Sequence, residues 1–75
     1  MAIAERIHFF RNLRGLTQKA LGLLLEFPES SADVRIAQYE TGKRTPKDEV
    51  TAALATEMGI SPLALTVPDI DTFDG

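Results

Sequence analysis

Apolar residues recur along the chain at intervals of three and four, which is the spacing of one face of an α-helix. At the start of the chain Ile3, Ile7 and Phe10 follow this spacing. They predict a first helix that runs from about Ile3 to Leu13. Gly15 comes soon after, and glycine readily adopts the left-handed conformation that ends many helices. We therefore expect Gly15 to cap this helix.

A second helix is predicted after Thr17, whose hydroxyl can accept a hydrogen bond from the N–H groups at a helix start. The helix continues to Leu24 or Leu25, and its inner stripe is formed by Leu21, Leu24 and Leu25. Gly22 lies on the same inner side. Glycine weakens a helix by roughly 1 kcal/mol relative to alanine, but at this position it allows the next helix to approach closely.

A third helix is predicted over Ala32–Glu40. Pro28 disfavours helical geometry in the residue before it, so the chain ahead of this helix forms a loop. Ser30 and Ser31 are both candidates for the N-cap of the helix. Gly42 ends it.

Two further helices are predicted from a repeated pair of start signals. Thr45 caps helix four and Pro46 takes its first position, because proline at that place loses no helical hydrogen bond. Gly59 ends helix four, and its apolar stripe is Val50, Leu54 and Met58. Ser61 and the proline after it repeat the pattern for a short helix five over 62–65.

The predicted elements are five short helices and no strand, so the fold class is all-α, a compact bundle. A chain of 75 residues allows one domain. We assign the helices to a single domain over residues 1–67 and residues 68–75 to an acidic C-terminal tail.

Charge is divided unevenly along the chain. The net charge is −3, but all eight Lys and Arg residues lie within residues 1–47. Residues 48–75 hold six carboxylates and no base. A local basic field attracts a polyanion even when the average charge of the chain is negative. The first part of the chain therefore favours contact with nucleic acid.

Composition excludes several other kinds of function. There is no cysteine, and His8 is the only histidine, so thiol chemistry and a zinc site are excluded and His8 is assigned a structural or surface role. No metal and no cofactor are expected. No apolar run is long enough to cross a membrane, and no signal peptide begins the chain, so a cytoplasmic protein is expected. No nucleophile has a base at a recognisable spacing, which argues against an enzyme.

Three segments stand in order at the predicted helix boundaries: RNLRGLTQ at 11–18, YETGKRTP at 39–46 and LATEMGIS at 54–61. In this order they resemble the Cro/phage-repressor (Xre-like) family over about residues 3–66. The resemblance implies a lambda-repressor-like bundle that contains a helix-turn-helix and binds DNA. The stretch from Thr17 to Glu40 is about four residues longer than in the family, and the extra length falls at 27–31. An enlarged turn between helices two and three is therefore expected.

Helix three carries the predicted recognition surface. Helical spacing puts Ile36 and Tyr39 on one side and leaves small and amide side chains on the other. An α-helix fits the DNA major groove, where such side chains contact base edges. The predicted base-reading residues are Gln38 for adenine, Val34 for a thymine methyl, Arg35 for guanine or a phosphate, and Asp33 for cytosine or for capping the helix itself.

Other residues are predicted to contact DNA phosphates, which fix the register of a protein on the duplex without selecting its sequence. Lys43, Arg44 and Lys47 form a basic patch just after helix three. The resemblance assigns Gln18, at the start of helix two, as a further phosphate anchor. Lys19 belongs to the same group, and Arg6 is a weaker candidate.

The resemblance also implies an ion pair between Arg11 and Glu40 that joins helix one to the end of helix three. We assign this pair a structural role and not a contact with DNA. If the pair is buried, removing one partner lowers the free energy of unfolding by about 3–5 kcal/mol. Phe9, Leu23 and Phe27 are apolar outside the helical stripes. They suit either the core or a dimer surface, and we favour the core.

The sequence thus predicts a sequence-specific regulator of transcription, and more narrowly a repressor, whose partner is double-stranded DNA. Family members usually bind palindromic sites as dimers, so a homodimer is one arrangement that stays open. A protein partner on the acidic C-terminal half is another. The alternative functions are an antitoxin and a protein-interaction module that has kept the fold and lost DNA binding.

Overall fold

The computed structural model describes residues 3–66, which form five α-helices and, within that range, no strand. The helices are α1 (Ile3–Leu13), α2 (Gln18–Leu24), α3 (Ala32–Glu40), α4 (Asp48–Met58) and α5 (Pro62–Thr66). The predicted all-α bundle of five short helices is confirmed. The predicted acidic tail at 68–75 lies outside the described residues.

Several helix ends follow the local sequence signals. The hydroxyl of Thr17 accepts a hydrogen bond from the N–H of Ala20 at 3.0 Å, so Thr17 caps α2 as predicted. Gly15 has a φ of 70° at the end of α1, and Gly59 has the same φ after α4. In both places the left-handed residue lets the next N–H groups reach back to carbonyls of the last helical turn.

The predicted start of α4 is wrong by two residues. Thr45 is not its N-cap and Pro46 is not its first residue, because the helix begins at Asp48 after Lys47. Pro46 is buried between the exposed Thr45 and Lys47, so it lies in the extended segment before the helix and not in its first turn. At the start of α3, Ser31 occupies the N-cap position without forming a side-chain hydrogen bond.

The core is built from one face of each helix. Its largest fully buried side chains are Ile7, Leu21, Ile36, Leu54, Met58 and Leu65. The prediction that Leu24 belongs to the inner stripe of α2 is wrong, because its side chain is 47% exposed. Phe9, at 51%, and Leu23 are also largely exposed, whereas Phe27 packs against the core. The side of α2 turned to the interior is narrow, because this seven-residue helix packs mainly on α3.

Contact between α2 and α3 depends on Gly22. A Cβ atom added at Gly22 would lie 2.6 Å from the carbonyl oxygen and 2.7 Å from the Cβ of Ala32. Only glycine therefore permits the two backbones to come this close, which is the close approach that the sequence predicted.

The enlarged turn between α2 and α3 has a defined backbone. Glu26 adopts a left-handed φ of 65°, and the N–H of Phe27 donates to the carbonyl of Gly22 at 3.0 Å. The N–H of Ser31 donates to the carbonyl of Pro28 at 3.0 Å and closes a second turn. The first of these turns places the Phe27 ring 6.5 Å from the ring of Tyr39, on the core.

Candidate nucleic-acid interface

Helix α3 has one buried and one open side. Ile36 and Tyr39 are buried in the core, while Asp33 and Val34 are exposed, Val34 at 51%. Gln38 is half-buried, on the side away from Ile36. Two of the four predicted base-reading residues thus lie on open surface, and Gln38 is partly accessible.

Asp33 and Arg35 are each held by a neighbour. A carboxylate oxygen of Asp33 accepts a hydrogen bond from the backbone N–H of Val34 at 2.8 Å, so it contributes to the start of α3. The guanidinium carbon of Arg35 lies 4.1 Å from the centre of the Phe27 ring, which is a cation–π contact. Arg35 therefore lies at the flank of α3, against the enlarged turn.

The predicted phosphate-contacting residues after α3 lie on exposed surface. Lys43, Arg44 and Lys47 are all exposed, and the N–H of Arg44 donates to the carbonyl of Gln38 at 3.2 Å. This bond fixes the basic segment to the last turn of α3. Positive charge thus stands at one end of the open side of the helix.

Lys19 and Arg6, the other two cationic residues predicted to contact phosphate, differ in exposure. Lys19 is about half exposed, and its ammonium lies 3.6 Å from a carboxylate oxygen of the exposed Glu29 in the enlarged turn. Arg6 is buried and donates to the carbonyl of Ala64 at 3.2 Å, so it joins α1 to α5. Because Arg6 is covered by the protein, its weaker assignment to DNA phosphate is wrong.

A buried carboxylate lies beneath the end of α3. The side chain of Glu40 is 4% exposed. Arg11 donates to both of its oxygens, through Nε to Oε2 and through Nη2 to Oε1, the latter at 3.1 Å. A third donor of Arg11, Nη1, bonds the carbonyl of Leu16 at 2.8 Å. Through these three bonds Arg11 joins three parts of the chain: α1, the segment that precedes α2, and the end of α3.

Two further groups meet the same carboxylate. Nε2 of Gln18 donates to Oε1 of Glu40 at 3.2 Å, and Nδ1 of His8 lies 2.9 Å from that oxygen. The other ring nitrogen of His8 lies 3.0 Å from Nδ2 of Asn12. The amide can donate to Nε2 only if His8 carries its proton on Nδ1, which is also the tautomer that donates to Glu40.

These contacts set the ionisation of Glu40. Burial raises its pKa, but the hydrogen bonds from Arg11, His8 and Gln18 and the positive charge of Arg11 lower it more. The pKa of Glu40 therefore lies below its ordinary value. The carboxylate is ionised at neutral pH and can accept all of these bonds.

The sequence model of a helix-turn-helix family matches residues 7–65, which is most of the chain. The chain belongs to the helix-turn-helix family. No curated protein and no solved structure matched it. The matched family is the Cro/C1 type of helix-turn-helix protein, which is Xre-like. The match therefore confirms the predicted resemblance.

In this helix-turn-helix protein, α2 and α3 are the two helices of the motif and the turn between them spans 25–31. The family is one of DNA-binding regulators of transcription and is not typically enzymatic. Within residues 3–66 no helix has the length and apolar character needed to span a lipid bilayer. The same part of the chain has no group of three or more side chains suited to hold a metal ion.

Sequence reasoning missed two features of the helix-turn-helix site. One is the meeting of His8 and Gln18 with Glu40; the spacing of His8 and Asn12 on α1 signals only the contact between those two side chains. The other is the stacking of Arg35 on Phe27. Nothing in the local pattern indicates it, because the two side chains meet only through the backbone path of the enlarged turn.

Proposed function

We propose that this helix-turn-helix protein is a sequence-specific transcriptional repressor that inserts α3 into the major groove of DNA. The observation that carries the proposal is the two-sided character of α3, with Ile36 and Tyr39 buried and Val34 open beside the half-buried Gln38. Basic residues stand at the end of the same helix. A groove-reading helix needs this arrangement of a fixed inner side and an accessible outer side.

Base selection is assigned to the outer side of α3. The amide of Gln38 can pair with an adenine edge through one donor and one acceptor, and Val34 can pack on a thymine methyl. Asp33 can accept from cytosine, although its bond to the N–H of Val34 competes with this role. Gln38 is therefore the residue expected to contribute most to base preference.

Phosphate contacts are assigned to two places on the surface. The exposed side chains of Lys43, Arg44 and Lys47 contact the backbone beyond the end of α3. Gln18 and Lys19, in the first turn of α2, contact it on the other side, where free N–H groups of a helix start favour an anion. Counterion release makes such binding strongly dependent on salt.

Glu40 positions Gln18 for its contact. Because one N–H of the Gln18 amide donates to Glu40, the orientation of the amide is fixed. The second N–H of the same nitrogen stays available to donate to a phosphate oxygen. The buried ion pair thus supports the interface without taking part in it.

Two copies on a palindromic site are the arrangement that we propose, with half-sites about one helical turn apart. A second candidate function, a protein-interaction module or antitoxin, is favoured by two observations. Phe9 and Leu13 are largely exposed, Leu13 at 63%, and their spacing of four residues places them on one side of α1. Such a surface suits a protein partner, and so do the exposed carboxylates of α4 in the acidic half.

Selection of bound fragments from a random pool of duplex DNA tests the proposal. We expect enrichment of one motif with two-fold symmetry, and an affinity for it that falls steeply between 50 and 200 mM salt, on the order of 10³-fold if six phosphates are contacted. A protein-interaction module would enrich no motif and bind no duplex at either salt concentration. That result would exclude the proposed repressor.

A further inference from the structure

A basic cleft lies between α3 and the start of α4. It has a volume of about 310 Å³ and is lined by Arg35, Tyr39, Arg44, Thr45, Lys47 and Val50. Three of these six side chains are cationic and no carboxylate of the described residues lines the cleft. Cations gathered in this way repel one another, so the cleft favours occupation by an anion.

Arg35 reaches this cleft from the flank of α3 because the enlarged turn holds it there. Its guanidinium carbon lies over the ring of Phe27, 4.1 Å from the ring centre, and Phe27 is itself packed against Tyr39 and the core. Stacking uses the face of the guanidinium and leaves the donors at its edge available. Arg35 forms no side-chain hydrogen bond with the described residues, and no buried side-chain nitrogen among them lacks a partner, so these donors are not buried.

We infer that Arg35 contacts a phosphate of the DNA backbone, together with Arg44 and Lys47 in this cleft, and does not contact a base edge. The inference rests on the proposed function and chooses between the two contacts predicted for Arg35 from the sequence, guanine or a phosphate. A guanidinium edge matches two phosphate oxygens, and the two neighbouring cations add charge. The contact with Phe27 holds Arg35 at the flank of α3, away from the outer side that is assigned to base reading.

The enlarged turn gains a function from this inference. Phe27 is a positioning residue: it contacts no DNA, but it orients the guanidinium that does. The extra residues between α2 and α3 thus add a phosphate contact at the flank of the recognition helix. Base preference is left to the outer side of α3, chiefly to Gln38.

Arg35→Ala tests the inference directly. Binding is measured by fluorescence anisotropy on the selected duplex and on duplexes that each carry one changed base pair, at several salt concentrations. We expect about tenfold weaker binding to every duplex and a salt slope smaller by about 0.9, the value for one lost phosphate contact on B-DNA. Loss of discrimination at one base pair with an unchanged slope would overturn the inference, and so would unchanged affinity.

Phe27→Leu tests the positioning step. It should weaken binding to all duplexes without changing base preference, and the double variant with Arg35→Ala should bind no more weakly than Arg35→Ala alone. Losses that add would show that Phe27 acts independently of Arg35 and would overturn its assigned role. Circular dichroism verifies folding, and Arg35→Gln, which keeps part of the aliphatic stem and a polar end without the charge, replaces Arg35→Ala if that variant does not fold.

Ala52→Glu provides a matched control for charge. It changes the net charge by the same amount as Arg35→Ala, at an exposed position of α4 that is about 200° around the helix from Val50. It should change the salt slope much less; an equal change would mean that only total charge is being measured, and the inference would fail. If the unaltered protein binds no duplex at low salt, the proposed function fails first, and the inference fails with it.

Discussion

Glu40 shows how one buried side chain holds several parts of the protein together. Its carboxylate receives donors from Arg11, His8 and Gln18, which come from α1 and the first turn of α2. A buried charge is costly unless hydrogen bonds and an opposite charge compensate for it. Here the compensation is complete enough that Glu40 stays ionised, with a pKa below its ordinary value.

Arg11→Ala removes the main partner of this carboxylate. The free energy of unfolding, measured with urea, should fall by about 3–5 kcal/mol, because a buried charge loses its counter-charge. Lys19→Ala is the control, since it removes an exposed ion pair with Glu29 and should cost less than about 1 kcal/mol. Equal losses in the two variants would contradict the structural role of the Arg11–Glu40 pair.

The pKa of Glu40 also predicts how stability depends on pH. A carboxyl group with a lower pKa in the folded state than in the unfolded state binds its proton more readily after unfolding. Its contribution is fully present above the ordinary value of 4.5 and is lost as pH falls through the folded pKa. Glu40→Gln should therefore flatten the acid side of a plot of stability against pH. The same acid slope in both proteins would contradict this assignment.

The backbone hydrogen bonds and packing of the junction between α2 and α3 explain how the fold accommodates the enlarged turn. The two turns at its start and end are closed by backbone hydrogen bonds, and Phe27 packs on the core between them. The unfavourable element is Glu26, whose φ of 65° is one that side chains with a Cβ rarely adopt. Glycine occupies the equivalent place after α1 and after α4.

Glu26→Gly should stabilise the protein. Relief of the left-handed backbone is worth about 1–2 kcal/mol, and the greater entropy of glycine in the unfolded chain opposes it by about 0.5–1 kcal/mol. A net gain of about 0.5–1 kcal/mol in thermal or urea unfolding is expected. Ser30→Gly, in the same turn but without a positive φ, should lower stability; a gain there as well would point to a different cause.

Gly22→Ala tests the contact between α2 and α3. Alanine improves helix propensity by about 1 kcal/mol, but its Cβ would lie 2.6 Å from a backbone oxygen of Ala32. The clash should outweigh the gain and leave the variant about 1–3 kcal/mol less stable. Leu23→Ala, on the exposed side of α2, should have little effect. A more stable Gly22→Ala protein would mean that the helices can separate without loss.

The whole molecule combines a basic part with an acidic one. All Lys and Arg residues precede residue 48, and the folded chain places Lys43, Arg44 and Lys47 at the end of α3. In the proposed complex, electrostatic attraction would bring the polyanion to this end, whereas selection of a sequence would depend on the few side chains that reach the bases. Affinity and base preference should therefore be separable by mutation.

Gln38→Ala and Lys43→Ala separate the two contributions. Gln38→Ala should relax base preference at one position, at a cost of about 1–3 kcal/mol there, and leave the salt slope unchanged. Lys43→Ala should weaken binding to all duplexes and reduce the salt slope by about one unit. Both are measured by titration of the selected duplex and its single-base variants. Equal effects of Gln38→Ala on every duplex would exclude it from base reading.

Local features of the chain were sufficient for the helices. Apolar periodicity and end signals such as Thr17 and Gly59 act over a few residues, so they predicted five helices and the buried side of α3. Pro46 shows where such signals fail, because it is buried and lies two residues before the observed start of α4. The family resemblance, in turn, supplied the Arg11–Glu40 pair.

Contacts between residues far apart in the chain were decided only by tertiary packing. Gln18 and His8 meet Glu40 across 22 and 32 positions, and no local pattern encodes such a meeting. Arg35 was predicted on a groove-facing helix, but the path of the enlarged turn brings Phe27 beneath it. Helix formation depends on near neighbours, whereas the direction of a flanking side chain depends on what the folded chain places beside it.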